Sequence, residues 1–356
     1  MNLTINSQRL AAELRLLCKV SPSKPAIQIL SYLLLSAEGD TLTLYATDLE
    51  IGLVSTCRAE VHEPGQVALP AAHFLAMVEQ FADDDVTLNG DGYAVGVRCG
   101  AFKSKLQALP ADDFPAVPTS EGAASRFDLA AFQELIGRTR YAINAGNSKA
   151  VLQGALLTLA GPAAALAATD GKRLALATAA NEGADARVIV PAKTLDMLAL
   201  HPSGGDVELT VGQRHLFFRM DDRLLISRSY DGKFPKYETI IPRDNDKKID
   251  VNRNQLAAAL RRVRLVSPES KAIYFAVQEG AINLSSSSAE IGSADESVPV
   301  DYDGPALKVC VNGSYVLDFL EAASGQSVSI SLKDAKNPML LLDGPANLGV
   351  IMLMKA

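Results

Sequence analysis

The stretch LTINSQRLAAELRLLCKVS, Leu3 to Ser21, has two further copies in the chain: SRFDLAAFQELIGRTRYAI at 125–143 and IDVNRNQLAAALRRVRLVS at 249–267. Aligning Leu10, Phe132 and Leu256 gives periods of 122 and 124 residues. Each copy opens with alternating polar and apolar residues, which suits a half-buried strand. Apolar residues at helical spacing follow, such as Leu10, Leu14 and Leu17, or Leu256, Leu260 and Val263. A second feature keeps the same period. In VALPAAHFLAMVEQF, VIVPAKTLDMLAL and VCVNGSYVLDFLEAA, the residues Pro70, Pro191 and Asn312 lie 121 apart. Each ends a β-branched run and opens a helix, where a missing N–H costs nothing. Thr47-Asp48, Thr169-Asp170 and Ser287-Ser288 form a third, weaker marker. The period is far longer than a solenoid repeat, so each copy is expected to be a domain with its own core.

The expected domains span 1–120, 126–244 and 247–356, with the proline-rich linker LPADDFPAVPTSEGAAS (109–125) after the first. Each reads β-α-β-β-β-α-β-β-β. In the first domain the expected strands include Ile29–Ser36, Thr41–Ala46 and Ile51–Arg58, and its second helix is expected over 71–81. Strands joined by short turns pair antiparallel, and two amphipathic helices per domain would cover them. The predicted class is therefore α+β: three homologous domains, each with two helices packed on antiparallel sheets.

Chemistry is conspicuous by its absence. His62, His73, His201 and His215 show no ligand spacing, and no GxSxG, HExxH or GxGxxG is present. TDGKR (169–173) lacks the rest of a phosphate loop, and Asp83-Asp84-Asp85 reads as a solvated turn. Cys18, Cys57, Cys99 and Cys310 are scattered without a CxxC pair, which fits a reducing cytoplasm better than a zinc site or a disulfide framework. No apolar run reaches the roughly 18 residues of a membrane span, and no secretory leader opens the chain. A non-catalytic binding role without metal or cofactor is expected.

Net charge is −7, which at first argues against nucleic acid. The three first-helix segments, however, hold ten basic residues against four acidic ones, so the remainder carries −13. Basic helices on an acidic body make a nucleic-acid footprint if they are gathered together. Six helices about 9 Å apart would leave a hole of roughly 7 Å once helix radii are removed. That is too small for a duplex whose major groove alone is about 12 Å wide. Twelve helices, from two chains, leave roughly 24 Å by the same arithmetic. A ring on DNA thus requires a head-to-tail dimer.

The segments ATDLEIGL (46–53), LPADDFP (109–115), LQGALL (152–157), ATDGKRLA (168–175), SRSYDGKFPKYETIIP (227–242) and NGSYVLDFL (312–320) span the chain. With them the chain resembles the bacterial DNA polymerase III beta subunit family, the sliding clamps. The resemblance implies three DNA-clamp domains dimerising into a ring around duplex DNA. It implies no catalysis and no sequence readout. The implied partners are a second copy, the DNA polymerase III alpha subunit, a clamp loader, and other polymerases and repair proteins carrying a clamp-binding motif. It also implies a peptide pocket for Gln and Leu/Phe anchors. Carried over by motif, the pocket takes Leu152, Thr169, Gly171, Lys172, Arg173 and Leu174 from the second domain. Pro235 and Ile240 follow, with Val350, Ile351, Met352 and Met354 at the C-terminal end. For DNA it points to Lys24 and Lys149; the charge distribution adds Arg138, Arg140, Arg261 and Arg264. For the dimer seam it pairs Lys103, Ser104, Lys105 and Leu106 with a strand near Asp295 and Glu296, where Leu265 and Val266 add apolar area.

Four residues depart from the family pattern. Lys172 stands where many members have His, and Leu353 where Pro is usual. Gln28 interrupts an apolar patch, and Ser104 replaces a common aromatic. These bear on partner affinity and dimer strength. They leave two alternatives open: a divergent accessory clamp, or a triplicated protein-binding scaffold that does not encircle DNA. Light scattering at low micromolar concentration is expected to give a mass near twice the 37.7 kDa chain. A monomer throughout would contradict the twelve-helix geometry.

Overall fold

The computed structural model describes residues 1–356 except 83, 91, 120, 121, 182–184, 203 and 356. Asp83 of the acidic turn, and Ser120 and Ala356 at two expected domain ends, therefore lie outside the described residues. Among the described residues there are six α-helices: α1 Ser7–Val20, α2 Ala71–Val78, α3 Leu129–Thr139, α4 Ala192–Leu200, α5 Arg253–Val263 and α6 Gly313–Ala322. Four begin on a side-chain cap. Asn6, Asp128 and Asn252 accept from the amides of Arg9, Ala131 and Gln255, and Asn312 from that of Ser314. Each such cap satisfies an amide the first turn leaves open, worth about 1 kcal/mol. Helices α2 and α4 follow Pro70 and Pro191 instead. No helix among the described residues is long and apolar enough to cross a membrane.

The chain forms two compact units. The first comprises Met1–Arg126 and Gly205–Ser229. One of its sheets runs Glu60–Glu63, Asn2–Asn6, Asp85–Gly90, Ala94–Cys99, Phe102–Gln107. In the other, Asp206–Val211, His215–Met220 and Arg223–Arg228 lead into Ile51–Arg58, Thr41–Thr47, Tyr32–Glu38 and Gly65–Pro70. The seam of that sheet is antiparallel, with Leu225 opposite Leu53. The second unit comprises Phe127–Gly204 and Tyr230–Ala356. Its eight-stranded sheet runs Ala186–Pro191, Gly154–Ala160, Ala163–Thr169, Arg173–Ala180, Asn347–Ile351, Met339–Asp343, Ser327–Leu332, Lys247–Asn252. Its four-stranded sheet runs Gly292–Pro299, Ala281–Ser288, Ala272–Gln278, Leu307–Asn312. In both units the last strands of one repeat extend the sheet of another.

The strand count between helices exceeds the expected three: five in the first repeat and four in each of the others. The added strand is the β-branched run into each second helix. It folds back on the first strand of its own group, as Gly65–Pro70 does on Tyr32–Glu38 and Leu307–Asn312 on Ala272–Gln278. Short Glu60–Glu63 is the fifth in the first repeat. The strand expected from Ile29 starts at Tyr32, because Gln28–Ser31 closes into a 3₁₀ turn tied to Ser21 through the Leu30 carbonyl. Helix α2 stops at Val78 and tightens, with Gln80 and Phe81 donating to Met77 and Val78. The serine run Ser285–Ser288 is a strand as expected, and buried Ser286 donates to the Val263 carbonyl.

Within the first unit, α1 is fastened to the sheet by a polar contact between residues far apart in sequence. Arg223 grips Glu13 with two hydrogen bonds, at 2.8 and 2.6 Å, and Ser55 donates to the same carboxylate. The Glu13 and Arg223 side chains are only 12% and 18% exposed. A pair this dry is costly to break, since the remaining charge loses its partner and stays out of water. Arg223→Ala should destabilise the first unit by about 3 kcal/mol. Chemical denaturation followed by a probe in α1 reads this, and an unshifted midpoint would contradict it.

Candidate functional site

The turn Thr169–Leu174 enters the central strand of the second unit's large sheet. Its shape follows from two side chains. The Thr169 hydroxyl donates to the Arg173 carbonyl and accepts from the Gly171 amide. Asp170 Oδ1 accepts from the amides of Lys172 and Arg173, at 2.8 and 3.0 Å. Gly171 stands at φ +90°, where a side chain would be strained, with open space above it. The Lys172 carbonyl then accepts from Met352 N, holding the C-terminal segment against the turn.

Arg173 faces inward, 12% exposed. Its guanidinium reaches Asp170 of the turn, Asp318 of α6 and the carbonyl of Tyr141. It lies 4.3 Å from the centroid of the Tyr315 ring and 5.3 Å from that of Tyr141. A planar fork with two carboxylates and two aromatic faces is what guanidinium chemistry supports and an ammonium does not. The burial that holds this cluster together also pushes the Tyr141 hydroxyl up in pKa.

The twelve pocket candidates therefore take different places. Leu152, Leu174 and Val350 share one buried cluster with Phe234 and Tyr237. Thr169, Gly171, Lys172 and Arg173 form the turn above it. The Pro235 carbonyl accepts from Tyr237 N, and Ile240 N donates back to Tyr237. Ile240 and Met352 are apolar yet 40% and 43% exposed. Ile351, 2% exposed, joins the neighbouring core, and Met354 N donates to the Cys310 carbonyl farther along. The sequence reading missed Phe234, Tyr237, Tyr141, Tyr315, Asp170 and Asp318. Phe234 and Tyr237 lie in the DGKFPKY segment, and Tyr315 and Asp318 are three apart on one face of α6. That spacing was the available signal.

The first unit repeats the turn. Thr47 donates to the Ile51 carbonyl and accepts from Leu49 N, Asp48 accepts from the amides of Glu50 and Ile51, and Arg228 N donates to the Glu50 carbonyl. Gly52 occupies the place of Leu174. A Cβ there would meet the Tyr45 ring at 3.0 Å, and Tyr45 is 3% exposed. In the first unit the Tyr45 ring takes the space beside Gly52 that a side chain such as that of Leu174, 1% exposed in the second unit, would need.

Of the cation candidates, Lys24 and Lys149 are exposed in the loops after α1 and α3, and among the described residues neither forms an ion pair. Arg264 is likewise exposed without one. The other three arginines are engaged: Arg138 with Glu134, Arg140 bidentate with Asp196, and Arg261 with Glu321. Six of the eight seam candidates lie on sheet edges, and Leu265 and Val266 in the 3₁₀ turn after α5. Phe102–Gln107, carrying Lys103 to Leu106, ends the five-stranded sheet, and Gly292–Pro299, carrying Asp295 and Glu296, ends the four-stranded one. Glu296 is already held by Arg262, whose hydrogen bonds lower its pKa, while Asp295 is exposed. Leu265 is 69% exposed and Val266 half-buried. Among the described residues no cluster could hold a metal ion.

Arg173→Lys should cost the second unit about 3 kcal/mol, because one ammonium cannot serve Asp170, Asp318 and the Tyr141 carbonyl at once. Denaturation midpoints of the two variants Arg173→Lys and Lys172→Arg check this, with the second expected near wild type.

Residues 1–118, 127–236 and 238–354 match the family models of the DNA polymerase III beta subunit N-terminal, central and C-terminal domains. The beta sliding clamp of Caulobacter vibrioides is 35% identical over 98% of this chain and 98% of its own length. The crystal structure of the DNA polymerase III subunit beta from Pseudomonas aeruginosa matches at TM-score 0.96 and 30% identity, covering all of both chains. A Pseudomonas aeruginosa sliding clamp bound to griselimycin matches at TM-score 0.95 and 30% identity, again over all of both chains. With its repeats, its helices on antiparallel sheets and these end-to-end likenesses, this chain belongs to the DNA polymerase III beta subunit family, the beta sliding clamps.

Proposed function

We propose that two copies of this chain close head to tail around duplex DNA and act as a non-catalytic processivity factor in the cytoplasm. The observation that carries this is the likeness to sliding clamps over the whole length, both in sequence and in fold. It favours a ring over a scaffold that never encircles DNA. The family spans 1–118, 127–236 and 238–354 support a threefold division close to the expected 1–120, 126–244 and 247–356, with the second boundary about ten residues earlier than expected. The two exposed sheet edges support a seam between the Lys103–Leu106 strand of one copy and the Asp295–Glu296 strand of another. Unpaired backbone on an edge strand is a template for a further strand. Apolar Leu265 and Val266 add area. Lys24, Lys149 and Arg264 are the cations best placed to meet phosphates, through salt-sensitive contacts without base readout. Arg138, Arg140 and Arg261 would first have to leave their carboxylates.

For partners, the reading is a short peptide with Gln and Leu/Phe anchors, as borne by the DNA polymerase III alpha subunit, a clamp loader, and other polymerases and repair proteins. It would lie over the Thr169–Leu174 turn. Leu152, Leu174 and Val350 make the floor, Pro235, Ile240 and Met352 the exposed apolar rim, and a methionine adapts its shape to varied anchors. That Pseudomonas aeruginosa clamp holds griselimycin supports a ligand site in this family. Rim variants test the reading more cleanly than Leu174→Asp, which would put a carboxylate into a position 1% exposed. The double variant Ile240→Asp, Met352→Asp should lower affinity for a fluorescent Gln-Leu-Phe-anchored peptide by about tenfold or more, with the mass in solution unchanged. Undiminished peptide affinity would remove the pocket from this face.

A further inference from the structure

The C-terminal segment leaves the peptide pocket and runs along the four-stranded sheet, where Met354 N donates to the Cys310 carbonyl. Between this segment and the outer face of the edge strand Leu307–Asn312 opens a groove of about 610 Å³. Its apolar walls are Tyr274, Val309, Leu353 and Met354, and three lysines line it: Lys308, Lys336 and Lys355. All three are exposed, and among the described residues none forms an ion pair. Lys308 Nζ stands 4.6 Å from the Tyr274 ring centroid, which holds its charge over the groove. The nearby carboxylate of Asp334 is turned onto the amides of Lys336 and Asn337 in its own turn.

Three uncompensated cations around an apolar trough stand out on a chain of net charge −7. Lone surface lysines are ordinary; lysines that share one groove with Tyr, Leu and Met side chains suit a ligand with negative charge and an apolar body. Met354 lines the groove two residues after Met352 of the pocket rim, so one extended peptide can run from pocket to groove at roughly 3.3 Å per residue. We infer that the groove takes an acidic stretch flanking the anchor residues of a docked partner peptide, and so ranks partners by their flanks. This rests on the pocket reading above. Peptide is favoured over nucleic acid because six of the nine lining residues are apolar and because Met354 of the groove follows Met352 of the pocket rim by two residues.

The test compares three fluorescent peptides on the full-length protein at low salt: one with Gln-Leu-Phe anchors alone, and two with three glutamates added before or after them. One acidic peptide should bind about tenfold tighter than the plain one, through pairing and steering by the lysines. High salt should remove the gain. Lys308→Ala with Lys336→Ala should abolish it while leaving the plain peptide unchanged. If the plain peptide binds and neither flank helps, the groove assignment is overturned and the pocket stands. If the plain peptide does not bind, the pocket reading fails and takes the groove with it. If the lysine variants weaken retention on duplex DNA and leave both acidic peptides untouched, the lysines serve nucleic acid and the inference is wrong.

Discussion

A guanidinium removed from water needs partners on every side, and in the second unit that need shapes the candidate site. Arg173 draws together a turn, a helix and two tyrosine rings that come from widely separated parts of the sequence. Asp170 is committed twice, to this guanidinium and to the amides of the turn. The turn therefore cannot relax without unpairing a charge. Its rigidity fixes where the Lys172 carbonyl stands, and through it the course of the segment that carries Met352. Under the proposed reading, the side chains beyond this frame, Pro235, Ile240 and Met352, are the exposed ones that meet a ligand.

Much of this was legible in the sequence. A repeat of strand and amphipathic helix can be read from spacing alone, and helices α1, α3 and α5 fall where it put them. The strand into each second helix was harder. A run of a few β-branched residues before a proline looks like a helix entry, and only its return to a partner strand some thirty residues back makes it a sheet member. The roles of Leu174 and Val350 were likewise underdetermined, because an apolar residue in a buried floor and one in an exposed rim are the same letter. Arg173 was picked for its motif, but nothing local announces that Asp318 would reach it.

Charge was legible in sum and not in detail. Counting arginines on the first helices located the basic segments, yet Arg138, Arg140 and Arg261 each lie against a carboxylate. The exposed pair of Arg261 costs little to open, whereas Arg138, 16% exposed, is held more firmly. The lysines differ: a long flexible stem and a compact, strongly hydrated charge keep them in water, in loops such as those of Lys24 and Lys149.

The two copies of the Thr-Asp turn share their hydrogen bonds and differ in what stands beside them. Tyr45 lies against Gly52 where the second unit has Leu174, so the two turns stand over different apolar surfaces. Repetition made the turn more than once, and one aromatic ring sets the first unit's copy apart from the second's. Under the proposed reading, a closed pair of chains offers one seat per chain, and tenants that outnumber the seats must take turns. Succession on such a molecule becomes a matter of residence time at each seat.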